Sequence, residues 1–285
     1  MMIDILFQGL LLGGLYALFA QGQSLMFGVM RLTNTAQGDF IILGGFFAIS
    51  LVGATGLAPG WALLLVTPVA FVFGYALQRF VLNGTLGKDP LPSLVVTFGL
   101  AIIIQNLLLE VYSADPRSLD AGALAFDSMS IGSATVGTLP LLTLGVALLV
   151  TTALQALFSY TSLGRSFRAV SDDREAAQLM GIRPSVVYAQ ATGIAFVLIA
   201  LAGTLQAMRT TVSPSDGPLL LLFAFEAVIM GGMGSFWGTL LGALLLGISQ
   251  QIGFRFDPGW GIWFGHLMFL LVLLVRPQGL FPKTR

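Results

Sequence analysis

Long apolar runs dominate the chain, and the short segments between them hold most of the charged residues. A helix needs about 20 apolar residues to cross a bilayer, and most of these runs approach that length. Strands of a membrane barrel would alternate in polarity over about ten residues, and these runs do not. The pattern predicts an all-α, polytopic transmembrane bundle. The candidate spans are residues 6–29, 39–56, 60–80, 91–112, 139–159, 186–207, 218–233, 237–253 and 259–276.

The seventh and eighth runs leave two topologies open. They are short and separated by Gly231, Gly232 and Gly234, so residues 218–253 form either two spans or a re-entrant pair. The bundle then has about eight or nine hydrophobic spans, with an odd number of crossings in either topology. The first run is far longer than a secretory signal and follows Asp4 instead of a basic cluster, so we interpret it as the first span.

Composition restricts the class of protein. The chain is 56% hydrophobic and 9% charged, whereas a soluble domain carries about 25% charged residues. Its surface must therefore face lipid. It has no cysteine and one histidine, His266, which excludes thiolate sites and argues against a histidine-rich metal site. The formal net charge is zero, so no nucleic-acid partner is predicted.

The basic residues predict an orientation, because Lys and Arg are enriched in cytoplasmic loops. With the N-terminus outside and the C-terminus inside, ten of the 13 basic residues are cytoplasmic. Those ten are Arg31, Arg79, Lys88, Arg165, Arg168, Arg174, Arg183, Arg276, Lys283 and Arg285. Arg117, Arg209 and Arg255 are external. The external loop 113–138 is then a candidate docking surface for an outside partner.

The inner loop, residues 160–185, contains signals for a short helix near 173–180. Asp172 is a candidate N-cap, and Glu175, three residues later, completes a capping-box pattern. Gly181 suits the left-handed position after the helix, and Pro184 prevents its continuation. Such a short helix needs tertiary or partner contacts to be stable. It is either an interfacial helix between two spans or a helix that inserts into a groove on a cytoplasmic partner.

Several motifs together resemble one family. Residues 175–181, EAAQLMG, are similar to the EAA–three residues–Gly pattern in the cytoplasmic loop of ATP-binding-cassette importer permeases. The segments at 13–40, 230–238 and 276–281 resemble signatures of the LivH family of branched-chain amino-acid permeases. That family usually has histidine where Gln37 stands, and often glutamate where Asp39 stands.

The resemblance implies a single transmembrane permease domain over residues 1–285, with 160–185 as its cytoplasmic coupling loop. The ATPase-coupling helix would comprise Asp172, Asp173, Arg174, Glu175, Ala176, Ala177, Leu179, Met180 and Gly181. The implied partners are a LivM-like second permease, two ATPase subunits and a periplasmic solute-binding protein, assembled in the bacterial inner membrane. ATP and Mg would be bound by the ATPase subunits, and no cofactor by this chain. The chain indeed has no GxxxxGK[ST] motif, so it is expected to be a transport subunit and not an enzyme.

Polar residues inside the spans are candidates for the solute path, because polar groups in a membrane are costly. An amide can bind both ends of a zwitterion without burying a charge, but it can equally join two helices. Glu226 can face the path, or it can pair with a neighbouring helix or an arginine such as Arg209. The candidate path residues are Gln21, Asn34, Gln37, Gln105, Asn106 and Glu226.

Other functions remain open at this stage. The resemblance implies a branched-chain or related amino acid as the solute, with urea, short amides and other small solutes as alternatives. An ion-coupled secondary transporter usually contains a relay of ionisable groups inside the membrane, and Glu226 alone is a short relay.

Overall fold

The computed structural model describes residues 2–87, 89–131 and 134–281. Lys88, Lys283 and Arg285, which entered the orientation prediction, lie outside these ranges. The fold class is confirmed as a polytopic helical membrane protein. The helices are α1 (Met2–Met30), α2 (Gln37–Thr55), α3 (Pro59–Phe80), α4 (Leu91–Tyr112), α5 (Ala123–Phe126), α6 (Thr138–Tyr160), α7 (Ser162–Asp172), α8 (Arg174–Leu179), α9 (Pro184–Arg209), α10 (Gly217–Gly231), α11 (Phe236–Phe256) and α12 (Trp260–Val275).

Each of the nine predicted spans corresponds to one of these helices. Seven described helices are long and apolar enough to cross a membrane, while α10 and α12 are apolar but shorter. At about 1.5 Å per residue, the 15 residues of α10 span roughly 22 Å, which is less than the hydrocarbon thickness. The 21 residues of α11 have the length of a full crossing, so residues 218–253 do not fold as two equally short halves.

The core of the bundle surrounds α1, which packs against α6, α9, α10 and α11. Close packing depends on small residues, as expected where lipid offers no hydrophobic drive between helices. Gly203 on α9 faces the backbone of α2, and Gly247 on α11 faces the backbone of α1. The outward faces of α3, α4 and α12 expose large apolar side chains, and these faces suit contact with lipid or another apolar surface.

The loop between α4 and α6 contains structure that the sequence pattern did not predict. Strands β1 (Ser128–Ile131) and β2 (Ala134–Gly137) form an antiparallel hairpin after the short α5. The loop is tied to the segment after α9 by two backbone bonds, from Arg117 N to Val212 O and from Val212 N to Arg117 O. The 113–138 loop therefore lies at the end of the bundle where α9 ends, opposite α7 and α8.

Two helices begin inside the bundle. The chain turns back after α1, and Gln37 at the start of α2 donates from Nε2 to the carbonyl of Phe19, near the middle of α1 (3.0 Å). The start of α10 at Gly217 packs against Gly38 and Asp39. Irregular backbone is tolerated at this depth because protein surrounds it.

Candidate functional site

Two short helices, α7 and α8, connect α6 to α9 and form the candidate coupling surface. Residues 162–172, read from the sequence as loop, form α7. Its polar outer face carries Arg165, while Phe167 and Val170 are buried against the bundle. The Ser171 hydroxyl donates to the carbonyl of Gly28 on α1 (2.8 Å). These contacts hold α7 firmly against α1 and α6, so α7 forms a rigid base for α8.

The prediction of a short helix near 173–180 agrees with α8, but the predicted N-cap is wrong. Asp172 is the last residue of α7, and Asp173 caps α8 by accepting from the amides of Glu175 (2.8 Å) and Ala176 (3.0 Å). Because α7 extends through Asp172, that residue is helical and unavailable as a cap. The capping box between Asp172 and Glu175 is therefore not formed.

The C-terminal end of α8 matches the sequence prediction. Gly181 has a φ of +82°, in the left-handed region that glycine adopts without strain. Its amide donates to the carbonyl of Gln178 (2.9 Å), and the amide of Ile182 donates to that of Ala177 (3.0 Å). This is the Schellman pattern of helix termination. Pro184, expected to prevent continuation, also begins α9.

The outer surface of α8 is strongly exposed although part of it is apolar. Leu179 is 89% exposed and Met180 82%, whereas Ala177 is 4% exposed and faces the bundle. Large apolar side chains at this level of exposure on a rigid, capped helix are typical of a protein-binding surface. We define the α8 knob as Leu179 and Met180.

We expect Asp173→Ala to destabilise α8, because it removes the side chain that accepts from two otherwise free amides at the start of the helix. Loss of such a cap costs a helix about 1 kcal/mol. Hydrogen exchange of the α8 amides should accelerate. Asp172→Ala, which removes the neighbouring carboxylate but no cap, is the matched control. Equal effects of the two variants would contradict this assignment.

Three candidate path residues are buried at helix contacts. Gln21, Asn34 and Gln37 are all fully buried. Gln21 Nε2 donates to Thr151 Oγ1 (2.9 Å) and to the carbonyl of Phe236 (3.1 Å), and so joins α1 to α6 and α11. Asn34 Oδ1 accepts from the amide of Ala36 and holds the turn between α1 and α2. In this conformation Gln21 and Gln37 join helices, Asn34 stabilises a local turn, and none of the three is exposed.

Several buried polar atoms in the same region have no hydrogen-bond partner among the described residues. They are Gln21 Oε1, Asn34 Nδ2, Gln37 Oε1 and both polar side-chain atoms of Gln23. Buried polar atoms are rarely left unpaired, so each of them is available to water, solute or a rearranged neighbour. Their role as path residues stays a prediction.

Glu226 forms a pair with His266 and not with Arg209. Glu226 Oε1 lies 2.5 Å from His266 Nδ1, which joins α10 to α12. Arg209 donates instead to the carbonyl of Leu11 (3.3 Å). The alternative that paired Glu226 with Arg209 is therefore wrong, and the alternative that paired Glu226 with a neighbouring helix agrees with this contact.

Two residues beside this pair were missed by the sequence reasoning. Tyr16 Oη on α1 donates to Gln250 Oε1 on α11 (2.7 Å), and both side chains are buried. Gln250 also borders Gly265, the neighbour of His266. Polar residues within apolar runs were the available signal, but nothing in the sequence relates positions 16, 226, 250 and 266.

We expect His266→Ala to lower the free energy of unfolding by about 2 kcal/mol, because Glu226 is left buried without its partner. Thermal unfolding in detergent measures the change. Trp263→Ala is the control, since it removes a larger ring from an exposed position on α12. If the pair is responsible, Glu226→Leu with His266→Leu should cost less than the two single variants added together. Additive costs, or an equal cost for Trp263→Ala, would refute this role.

Gln105 and Asn106 are not brought together with the other candidates. Asn106 is exposed and donates to the carbonyl of Ile102 in its own helix (2.8 Å), and Gln105 is half-buried. Both lie on α4, which contacts α2 at the periphery of the bundle.

The described geometry is that of a membrane bundle with a rigid helical projection at one end. A family model described as "Branched-chain amino acid transport system / permease component" matches residues 5–276. The chain belongs to this family, and it is a multi-pass membrane protein and a transport permease component.

Individual relatives agree with this assignment. The chain is 30% identical to the permease protein BraD of Pseudomonas aeruginosa, over 98% of this chain and 95% of that one. It is 28% identical to LivH of Escherichia coli K12, over 98% and 94%. Both are named high-affinity branched-chain amino acid transport system permease proteins. LivM of Salmonella typhimurium, with the same description, is 35% identical over 43% of this chain and 29% of its own length.

One solved structure has a similar fold. The structure of PsaBC from Streptococcus pneumoniae in complex with Fab aligns with a TM-score of 0.52, over 96% of this chain and 92% of that one. At 12% sequence identity, the likeness is one of fold.

Proposed function

We propose that this chain is the inner-membrane permease subunit of an ATP-binding-cassette importer for branched-chain or related amino acids. Its partners are a LivM-like second permease, two ATPase subunits and a periplasmic solute-binding protein. ATP and Mg are bound and used by the ATPase subunits. The family membership and the near full-length similarity to BraD and LivH support the solute class. The partial similarity to LivM is compatible with two related permeases in one complex.

The observation that carries the coupling mechanism is the α8 knob. In the proposed orientation, with the N-terminus outside and the C-terminus inside, the knob projects into the cytoplasm. A groove on an ATPase subunit receives it, and closure of the ATPases pushes α8. Because α7 is anchored to α1 and α6, this displacement acts directly on the centre of the bundle.

The test is purification of the complex from its native membrane, followed by reconstitution into vesicles. We expect two ATPases and a second permease to copurify. Uptake of labelled leucine should then require ATP and the binding protein, with urea and acetamide as comparison solutes. ATP-dependent uptake of urea or acetamide but not leucine would contradict the proposed solute class and would still support an ATP-driven importer.

The competing function is an ion-coupled transporter, and the observation that favours it is the Glu226–His266 pair between α10 and α12. Uptake by the chain alone, driven by an ion gradient without ATP, would overturn the importer. Glu226→Gln should abolish such uptake if the pair carries the ion.

A further inference from the structure

Three arginines converge beside the start of α9. The Arg79 guanidinium at the end of α3 donates from Nη1 to Ser185 Oγ (3.0 Å). Ser185 lines a surface pocket together with Arg174, the first residue of α8, and Arg183, the residue before α9. Arg174 and Arg183 belong to the same inner loop, and the fold brings Arg79 to them from the distant end of α3.

Among the described residues, Arg79, Arg174 and Arg183 form no ion pair. All three side chains are exposed at the rim of a membrane-spanning bundle. Guanidinium groups bind phosphate oxygens through paired, charge-assisted hydrogen bonds, so the pocket is suited to a phosphate group.

An apolar groove lies on α3, the helix that ends at Phe80 next to Arg79. It follows the outer face of α3 and is lined by Pro68, Val69, Val72, Phe73 and Ala76. Val69, Val72, Ala76 and Arg79 are spaced three or four residues apart, so they lie along one face of the helix. The valines and Phe73 are largely exposed, as expected for a surface that faces acyl chains.

We propose that an anionic phospholipid binds here, with its phosphate at Arg79, Arg174 and Arg183 and an acyl chain in the α3 groove. A soluble phosphate compound would satisfy the arginines but would leave the groove empty. A lipid satisfies both, and it is the ligand that a membrane supplies at this depth. The bound lipid links α3, α8 and α9 and thereby supports the base of the α8 knob.

The test uses the purified full-length chain in mild detergent with phosphatidylglycerol and, separately, phosphatidylcholine, and counts bound lipids by native mass spectrometry. We expect preferential retention of phosphatidylglycerol. Arg174→Gln with Arg183→Gln should reduce that preference about 25-fold, because each cation near the membrane surface contributes a factor of about five. Arg165→Gln with Arg276→Gln removes the same charge away from the pocket and should retain the preference.

Two further experiments distinguish a bound lipid from a soluble phosphate compound. Ala76→Trp fills the groove at a lipid-facing position and should reduce retention without touching an arginine. Inorganic phosphate should not displace the lipid. The proposal fails if both double variants lose lipid equally, or if inorganic phosphate displaces it. It also fails if the pocket variant keeps the lipid and loses only the ATPases in a pull-down, because the arginines then belong to the protein interface.

Discussion

The double variant Leu179→Asp with Met180→Asp is expected to fold normally and to abolish ATP-driven uptake. Both side chains are more than 80% exposed, so neither contributes to the packed core of the chain. If the α8 knob enters a groove on an ATPase, each side chain contributes about 1.5–3 kcal/mol by burial. Two carboxylates in the same groove would additionally be desolvated. The loss corresponds to at least about a hundredfold weaker association.

Three measurements check this prediction. The thermal unfolding midpoint of the isolated chain should be unchanged, copurification of the ATPases should be lost, and uptake should fall to background. Ser162→Asp is the control, because it places a negative charge on an exposed position of α7 at the same end of the bundle. Full ATPase copurification with the double variant would exclude the α8 knob as the coupling contact.

The largest effect on stability is expected for Gly203→Val, where α9 crosses α2. A Cβ at Gly203 would lie 2.8 Å from Gly45 N and still closer to the carbonyl of Ile41. Both obstacles are backbone atoms, so no side-chain rotation relieves the clash, and the helices must separate. Overpacking of this kind costs about 3 kcal/mol or more.

Gly99→Val provides the matched control within the same chain. A Cβ at Gly99 on α4 meets no atom within 4 Å. The two variants therefore add the same side chain to transmembrane helices in different surroundings. We expect a large fall in the unfolding midpoint and in the yield of monodisperse protein only for Gly203→Val. Equal midpoints would show that the contact between α2 and α9 is not as tight as the structure indicates.

The helices were predictable because a bilayer makes their length and apolarity local properties of the sequence. Each predicted span agrees with its helix to within a few residues. The end of α8 was predictable because Gly181 can adopt the left-handed conformation that terminates the helix. The predicted N-cap of α8 was wrong by one residue, because adjacent Asp172 and Asp173 are both good caps. The choice between them depended on α7, whose pattern is amphipathic and was read as a charged loop.

The sequence by itself determined that the chain is a helical membrane protein, approximately where each span lies, and that a short capped helix precedes α9. Only the tertiary structure decided that Glu226 meets His266, that Gln21 and Gln37 join helices, and that Arg79 lies beside the pocket lined by Arg174 and Arg183. The physical reason is that backbone hydrogen bonds within a helix are local and recur in every span. Side-chain partners depend instead on which helices are neighbours and how each is rotated, and the packing of the whole bundle sets both.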